Sequence, residues 1–240
     1  PRYSTDLGNR GLVVDGREFK DGMFGHFARV GAALGHGKRV ELIDVLAQGE
    51  RSVEDLAREV SASVGNTSRH LQVLAGVGLV ARRVEGSARI YRLADPAVLR
   101  AYQALVAVAE ARIADVAALA SAFFGAVDGA RAVSLAELRE AMAADDQLTL
   151  IDVRPEREFA SGHVPGAVNV PLAHLAERLS GLPRDAPIVA YCRGPYCVMA
   201  AAAVHQLRAA GFPAARLQVG YPDWLTASGA APAADRTRRN

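Results

Sequence analysis

The segment Tyr191-Cys192-Arg193-Gly194-Pro195-Tyr196-Cys197-Val198 holds the only two cysteines of this 240-residue chain. An apolar run precedes it and a helical pattern follows it, so it is predicted to be a strand, a tight loop and a helix start. Such a loop directs main-chain N–H groups and the positive end of a helix dipole inward, which favours an anion and lowers the pKa of a thiol. Cys192 is the candidate reactive residue. Gly194 allows the loop backbone dihedral angles that a side chain would forbid, and Pro195 restricts the backbone. The residues alone also allow two alternatives: the cysteines act as small buried apolar side chains, or they form an incidental disulfide.

A second set of motifs lies around this loop. Asp152-Val153-Arg154 comes first, and Glu158-Phe159, Gly162-His163-Val164-Pro165-Gly166-Ala167, Pro171 and finally Gly220-Tyr221-Pro222-Asp223-Trp224 follow in order. Over residues 134–225 these motifs resemble the rhodanese family. The resemblance implies an α/β domain with a mostly parallel sheet, whose loop cysteine holds a sulfane sulfur as a persulfide. By that resemblance Cys192 is the sulfur carrier.

The loop departs from the family at one position. It has six residues, a length that resembles sulfurtransferases rather than the related dual-specificity phosphatases. Many rhodaneses close this loop with an arginine, which binds an anion through two hydrogen bonds. This chain has Cys197 at that position. The resemblance therefore does not extend to ordinary thiosulfate turnover. A second thiol can instead resolve a persulfide or a sulfenic acid into a disulfide. The predicted site comprises Cys192, Arg193, Gly194, Pro195, Tyr196 and Cys197, with Arg193 supplying charge and Asp152 steadying the loop.

Other polar residues of this half are expected to be structural. Arg154 is predicted to form a local ion pair with Glu158, and His163 to make a hydrogen bond within its turn. His174 and His205 are expected at the surface.

Length and composition place limits on the whole chain. It is long enough for two domains, half of its residues are hydrophobic, and its net charge is +2. The most apolar run, residues 116–127, is too short for a membrane span, and no secretory segment is visible. We therefore expect a cytoplasmic protein with no membrane contact, in which neighbouring thiols indicate redox or sulfur chemistry.

The first half has the pattern of a helical domain. After an arm over residues 1–20, core-facing helices are predicted from Asp21 onward and over residues 38–48. Ser52 and Ser63 are predicted to cap the next two helices, which a short turn joins. The second of these, residues 64–76, buries Val64, Leu71 and Leu74.

The two capped helices suggest a helix-turn-helix, and the following segment supports this interpretation. Residues 79–84 and 89–93 are predicted to form a basic hairpin, the wing of an all-α winged helix-turn-helix domain. The alternative is a solvated basic hairpin on another helical domain. The candidate contacts to a double-stranded DNA operator are Asn66, Ser68, Arg69, His70, Gln72, Arg83 and Arg89.

Several segments of this half resemble the ArsR/SmtB repressors over residues 24–124. They are Leu34 to Ile43, Ser52 to Ala57, Ser68 to Leu74, Gly78 to Val80 and Tyr91 to Leu93. The resemblance implies a dimeric repressor that leaves its operator when an inducer binds. Metal sensors of the family carry cysteines in the third helix or His and acidic ligands in the last. Because this chain has neither, no metal and no cofactor are expected.

The last helix of this domain is predicted to begin at Asp95-Pro96 and to continue for about seven turns. We expect it to pack against its copy in a homodimer; the alternative is that it covers the rhodanese domain. The domain boundaries are predicted at 21–126 for the winged helix and 134–226 for the rhodanese domain. A linker at 125–130 separates them, and a disordered tail over 227–240 follows.

Three functions follow from these patterns. The preferred hypothesis is a homodimeric transcriptional repressor that senses a small sulfur donor (polysulfide, thiosulfate or persulfide) through Cys192, ending in a Cys192–Cys197 link. A second is a rhodanese-type sulfurtransferase that uses the winged helix as an accessory. A third is a repressor that responds to arsenic or another thiophilic metalloid.

Overall fold

The computed structural model describes residues 15–125, 132–144 and 148–229, which form two compact units. The first contains residues up to 43 together with 51–94, and the second contains 44–50 and the chain from 95 onward. Most of the predicted arm, the linker from residue 126 and the tail from residue 230 lie outside the described residues. Among the described residues, no helix is long and apolar enough to cross a bilayer.

Four of the described helices precede the predicted wing. They are α1 (Gly16–Leu34), α2 (Gly37–Leu46), α3 (Val53–Glu59) and α4 (Val64–Gly76). The caps predicted at Ser52 and Ser63 are confirmed, because their side chains accept hydrogen bonds from the N–H groups of Asp55 and Asn66. The start of α1 was placed five residues too late, since the Asp15 side chain caps the helix by accepting from the N–H of Arg17 at 3.1 Å.

The apolar stripe of α1 is not in the core of the chain. Phe24 and Phe27, predicted to face a core, are 66% and 58% exposed, and Met23 and Val30 are also exposed. The prediction was wrong because helical spacing of apolar residues indicates that a face is covered but not by which chain. Val64 is likewise exposed at the start of α4.

The wing is a hairpin of β2 (Val80–Glu85) and β3 (Ala88–Leu93), as predicted. Gly86 makes its tight turn with a φ of +59°, a region that favours glycine. A short strand that the sequence did not reveal, β1 (Arg51–Ser52), pairs with β3 and gives an antiparallel sheet in the order β1-β3-β2. The first unit buries Leu42, Ile43, Leu56, Leu71, Leu74 and Tyr91.

The predicted seven-turn helix is divided into α5 (Pro96–Arg112) and α6 (Ala114–Phe124). Its start is confirmed, because the Asp95 side chain accepts from the N–H of Ala97 at 2.7 Å. At Ile113 the backbone takes extended dihedrals, so α6 does not continue the axis of α5. Phe124 at the end of α6 is buried beside the guanidinium of Arg216, which lies 4.6 Å from its ring.

The rest of the second unit alternates strands and helices around a sheet in the order β5-β4-β6-β7. All three strand pairs are parallel, as the predicted α/β class requires. The elements are α7 (Leu135–Ala143), β4 (Thr149–Asp152), α8 (Glu156–Ser161), β5 (Val168–Asn169), α9 (Leu175–Arg178), β6 (Ile188–Tyr191), α10 (Val198–Ala209), β7 (Ala214–Arg216) and α11 (Tyr221–Ala227). Ser134 caps α7 in a capping box with Glu137.

The central strands are buried on both faces. Ile188 and Ala190 of β6 pack with α10 residues such as Val204, whereas Val189 and Tyr191 pack on the other face with residues of α7 and α11. Burial on both faces explains why the strand sequences are continuously apolar. Polar residues lie at the carboxyl ends of β4 and β6. This is the edge at which open parallel sheets bind their ligands.

Candidate functional site

The cysteine loop lies at the carboxyl end of β6, in the strand, loop and helix arrangement that its sequence predicts. Cys192 follows β6 directly, and Cys197 is the N-cap residue of α10. The N–H of Cys197 donates to the carbonyl oxygen of Gly194 at 3.1 Å and closes the turn. Both cysteines are free thiols.

The two thiols differ in exposure. Cys192 is 2% exposed and belongs to the apolar cluster of β6 and α10, and its Sγ lies 3.5 Å from the carbonyl oxygen of Cys197 and 3.9 Å from that of Gly194. Cys197 is only partly buried. Cys197 is therefore the more exposed of the two residues.

The thiol pKa values are shifted in opposite directions. Burial raises the pKa of Cys192 well above its ordinary value, and the neighbouring Cys197 raises it further. A hydrogen bond from the Cys192 thiol, opposed by burial and helped by main-chain bonds at Arg193 and Met199, lowers the pKa of Cys197 to about 7. The predicted low pKa at Cys192 was wrong, because the loop residues do not reveal that this thiol packs into the core.

Arg193 was predicted to supply charge to the loop, but its guanidinium is engaged elsewhere. It bonds the buried carboxylate of Glu158, with Nη2 to Oε1 at 2.6 Å and Nε to both oxygens. The pair links the cysteine loop to α8. Arg193 therefore anchors the loop to α8, and its charge also helps to lower the pKa of Cys197, as predicted.

Asp152 and Arg154 form a buried ion pair at the end of β4. Both side chains have no exposed surface, and Nη2 of Arg154 lies 2.6 Å from Oδ2 of Asp152. The expected pair of Arg154 with Glu158 was wrong, because Arg193 takes that carboxylate. Arg154 also donates to the carbonyl oxygen of Gly162 at 2.8 Å and to Oε1 of Gln48 at 3.0 Å. Asp152 therefore acts on the cysteine loop indirectly. It holds Arg154, Arg154 bonds Gln48, and Nε2 of Gln48 donates to the carbonyl oxygen of Arg193.

Two residues after β7, Gly220 and Tyr221, also touch the cysteine loop. They belong to the motif over residues 220–224, whose contact with this loop was not predicted. A Cβ on Gly220 would overlap the carbonyl group of Arg193 and the amide nitrogen of Gly194. The N–H of Tyr221 donates to the carbonyl oxygen of Cys192 at 3.3 Å. In contrast, Gly194 has no positive φ and a Cβ there would meet nothing within 4 Å, so the backbone freedom predicted for it is not used.

Helix α5 contacts the same region. The Tyr196 hydroxyl of the cysteine loop donates to Oε1 of Glu110 at 2.7 Å. Gln103 donates to Oδ1 of Asp223 at 3.0 Å. The helix that was expected to serve a dimer therefore also packs on the rhodanese-like part of its own unit, as the alternative interpretation proposed.

The candidate DNA contacts lie on α4 and on the wing. Asn66, Arg69 and Gln72 of α4 are exposed, as are Arg83 and Arg89 of the wing, whereas Ser68 and His70 are partly buried. The ring of His70 contacts that of His36 in a tilted arrangement, with centroids 4.5 Å apart and an interplanar angle of 46°. Burial, and then the positive potential of His36 and Arg39, lowers the pKa of His70.

Comparison with known proteins identifies both halves. Residues 36–82 match the model of the bacterial regulatory protein arsR family, and residues 134–227 match the rhodanese-like domain. The HTH-type transcriptional regulator Rv0324 of Mycobacterium tuberculosis is 43% identical over 208 residues, which are 87% of this chain and 91% of that protein. The chain belongs to the arsR family of bacterial transcriptional regulators.

Two further similarities cover one half each of this arsR-family chain. A sulfurtransferase of Allochromatium vinosum is 34% identical over 56 residues, or 23% of this chain and 52% of that protein. The solution NMR structure of the homodimeric winged helix-turn-helix DNA-binding domain of Mb0332 from Mycobacterium bovis is 36% identical. It covers 44% of this chain and 94% of that structure, with a TM-score of 0.39.

The arsR-family chain combines a DNA-binding winged helix with a rhodanese-like domain, as its two resemblances predicted. Within the described ranges, no group of three or more His, Cys, Asp or Glu side chains comes together where it could hold a metal ion. The chemistry available at the loop is that of its two thiols. The residues missed by sequence reasoning, Gln48 and Glu110, act on this loop from distant positions in the chain.

Proposed function

We propose that this regulator is a homodimeric repressor whose dithiol loop senses sulfane sulfur. In the reduced state it binds a double-stranded DNA operator through α4 and the wing. A polysulfide, thiosulfate or low-molecular-weight persulfide modifies the loop, the cysteines become linked as a disulfide, and operator affinity falls.

The observation that carries the proposal is the position of two free thiols in one six-residue turn. Sγ of Cys192 lies 3.5 Å from the main-chain carbonyl oxygen of Cys197, and each thiol shifts the pKa of the other. Two thiols in one turn can resolve a persulfide within the chain, which needs no second protein. Polar groups of five other segments bond the turn, so a change in its shape must alter their hydrogen bonds. They belong to Gln48, Glu110, Glu158, Arg216 and Tyr221.

The exposed stripe of α1 supports the homodimer. Phe19, Met23, Phe24, Phe27 and Val30 are all exposed in the single chain. A row of large apolar side chains along one helix face is typical of a surface that a partner covers. A two-fold dimer would present two copies of α4 to a palindromic site.

The test is operator affinity of the full chain, measured by fluorescence anisotropy with DNA from its own promoter, before and after treatment with inorganic polysulfide. We expect wild type to bind about 100-fold more weakly after treatment, which corresponds to about 2.7 kcal/mol of coupling. The double variant Cys192→Ser, Cys197→Ser should bind as tightly as reduced wild type and should not respond. An equal response in the double variant would overturn the sensing role and leave DNA binding intact.

Two other functions remain to be separated from this one. A sulfurtransferase would form thiocyanate from thiosulfate and cyanide, and the engagement of Arg193 by Glu158 argues against efficient anion turnover. An arsenic-responsive repressor would bind trivalent arsenic at the reduced thiols, although only two sulfur ligands are present. Thiocyanate release by wild type or arsenic-dependent loss of DNA binding would support the respective alternative.

A further inference from the structure

We infer that helix α5 transmits the state of the cysteine loop, and that its consecutive residues Tyr102 and Gln103 are the side chains through which it does so. This inference rests on the proposed function and names the route by which a change in the loop is passed on. Two separate contacts hold one peptide group of the loop, and both of them lead to α5.

The peptide group between Arg193 and Gly194 is held from two sides. Nε2 of Gln48 donates to the carbonyl oxygen of Arg193 at 3.2 Å. The backbone of Gly220 approaches the same peptide so closely that a Cβ would overlap both the Arg193 carbonyl group and the Gly194 nitrogen. Because this peptide lies between the two cysteines, a disulfide that reshapes the loop displaces these contacts.

The contact made by Gln48 leads to Tyr102. Gln48 lies in the segment of residues 44–50, which belongs to the second unit together with α5. At the start of this segment, Oδ1 of Asp44 accepts a hydrogen bond from the Tyr102 hydroxyl at 3.0 Å. Burial raises the pKa of the Asp44 carboxyl group, and the bond from Tyr102 opposes this shift. The segment is therefore fastened to α5 through a carboxylate that has lost part of its hydration.

The contact made by Gly220 leads to Gln103. The N–H of Gly220 donates to Oδ2 of Asp223 at 3.0 Å, and Nε2 of Gln103 donates to Oδ1 of the same carboxylate at 3.0 Å. The side chain of Gln103 also donates to the carbonyl oxygen of Pro222 at 3.4 Å and accepts from the Thr226 hydroxyl at 3.1 Å. One amide of α5 thus fixes the start of α11, where Gly220 meets the loop.

The position of the two residues within α5 allows both contacts. Neighbouring side chains of an α-helix point about 100° apart, so Tyr102 and Gln103 hold two different segments from one turn. Helix α5 begins at Pro96, and only Ala94 and Asp95 separate it from the wing strand β3. A displacement of the loop is therefore applied to a helix that continues directly from the wing, through packed contacts and hydrogen bonds of the kind that carry coupling.

The test is the ratio of operator affinities of the full chain before and after treatment with inorganic polysulfide, in Tyr102→Phe, Gln103→Met and the double variant. Intact mass confirms that each chain loses two hydrogens on treatment. We expect the ratio to fall from about 100 in wild type to about 10 in each single variant and below about 3 in the double variant. A loss of stability that acts equally on both states does not change this ratio. Gln206→Met on the exposed face of α10 is the matched control and should keep the wild-type ratio.

The outcomes separate the route from the proposed function. A double variant that forms the disulfide and keeps the full ratio would overturn the route and leave the sensing role standing. Wild type whose affinity does not respond to polysulfide would instead overturn the sensing role. Should the double variant fail to fold, amide hydrogen exchange of wild type still decides. We expect exchange over residues 96–112 to become at least about threefold faster when the disulfide forms, and unchanged exchange there would refute the role of α5.

Discussion

Nε2 of Gln48 donates a hydrogen bond to the main-chain carbonyl oxygen of Arg193 at 3.2 Å, so a residue 145 positions upstream holds the cysteine loop. Gln48 is 2% exposed, and its Oε1 accepts from Nη1 of Arg154 at 3.0 Å. Residues 44–50 belong to the second unit, but the chain on either side continues into α2 and β1. The segment that holds the cysteine loop is thus covalently continuous with the first unit at both ends.

Replacing Gln48 by methionine should weaken both stability and signalling. Methionine has a similar volume but leaves the Arg193 carbonyl and one Arg154 N–H without this partner, so we expect the free energy of unfolding to fall by about 1–3 kcal/mol. The reduced variant should bind operator with wild-type affinity, and the loss of affinity caused by polysulfide should shrink. Urea unfolding and fluorescence anisotropy measure the two effects.

The exposed Gln206 of α10 provides the matched control, since Gln206→Met makes the same chemical change at the surface of the same unit. It should alter neither quantity. A full polysulfide response in Gln48→Met would show that this side chain does not take part in the coupling.

Gly220→Ala should displace the cysteine loop, because its Cβ would overlap the carbonyl group of Arg193. We expect a loss of stability of about 1–3 kcal/mol, as for other overpacked positions, and a changed rate of alkylation at Cys197. Gly194→Ala is the control within the loop, as a Cβ there meets nothing within 4 Å. Equal behaviour of the two variants would mean that the loop tolerates the approach of residue 220.

The features that the sequence predicted are those with a local cause. The Ser52 and Ser63 caps depend on hydrogen bonds three residues away, and the strand before the cysteine loop is recognisable as a continuous apolar run. The loop between Cys192 and Cys197 was located for the same reason. In each case, neighbours in the chain carry most of the information.

The features that the sequence did not predict depend on contacts between distant segments. Arg154 and Glu158 are only four residues apart in the sequence. In the folded chain, however, Arg154 forms its buried ion pair with Asp152, and Glu158 forms one with Arg193. The pKa of Cys192 is raised because α10 packs over it, which no loop motif reveals. The exposed face of α1 shows the same limit, since an apolar stripe does not say which molecule covers it.

The exposed apolar residues of α1 predict where the homodimer interface lies. Phe24→Glu places a charge in the middle of the exposed apolar row, so we expect the homodimer to dissociate into monomers at micromolar concentration. Sedimentation equilibrium measures the change. Val84→Glu on the wing, where an isolated valine is 70% exposed, should leave the dimer intact. A Phe24→Glu chain that is still dimeric would place the interface elsewhere.

Arg89 of the wing should contribute a phosphate contact. Arg89→Ala should weaken operator and nonspecific DNA alike and should reduce the slope of log K against log salt by about 1. Anisotropy titrations over a range of salt concentrations provide this slope. The exposed Arg178 of α9 carries the same charge on the rhodanese-like domain, so Arg178→Ala should change neither value. An unchanged salt slope in Arg89→Ala would remove the wing from the DNA contact.

The reactivity of the loop should depend on pH with a midpoint set by Cys197. Since the pKa of Cys197 is lowered from 9.0 to about 7 by its bond with Cys192, the rate of its alkylation by iodoacetamide should rise as pH increases through about 7. Its contribution to stability has the same sign, because a lowered folded-state pKa stabilises the fold fully above pH 9 and is lost as pH falls through about 7.

Cys192→Ala removes the thiol donor and should move this midpoint upward, whereas Cys192→Ser keeps a hydroxyl donor at the same position and should move it less. Peptide mapping of the alkylated chain assigns the label to Cys197. A midpoint that stays near 7 in Cys192→Ala would mean that the main-chain groups at the start of α10, and not the partner thiol, hold the charge on Cys197.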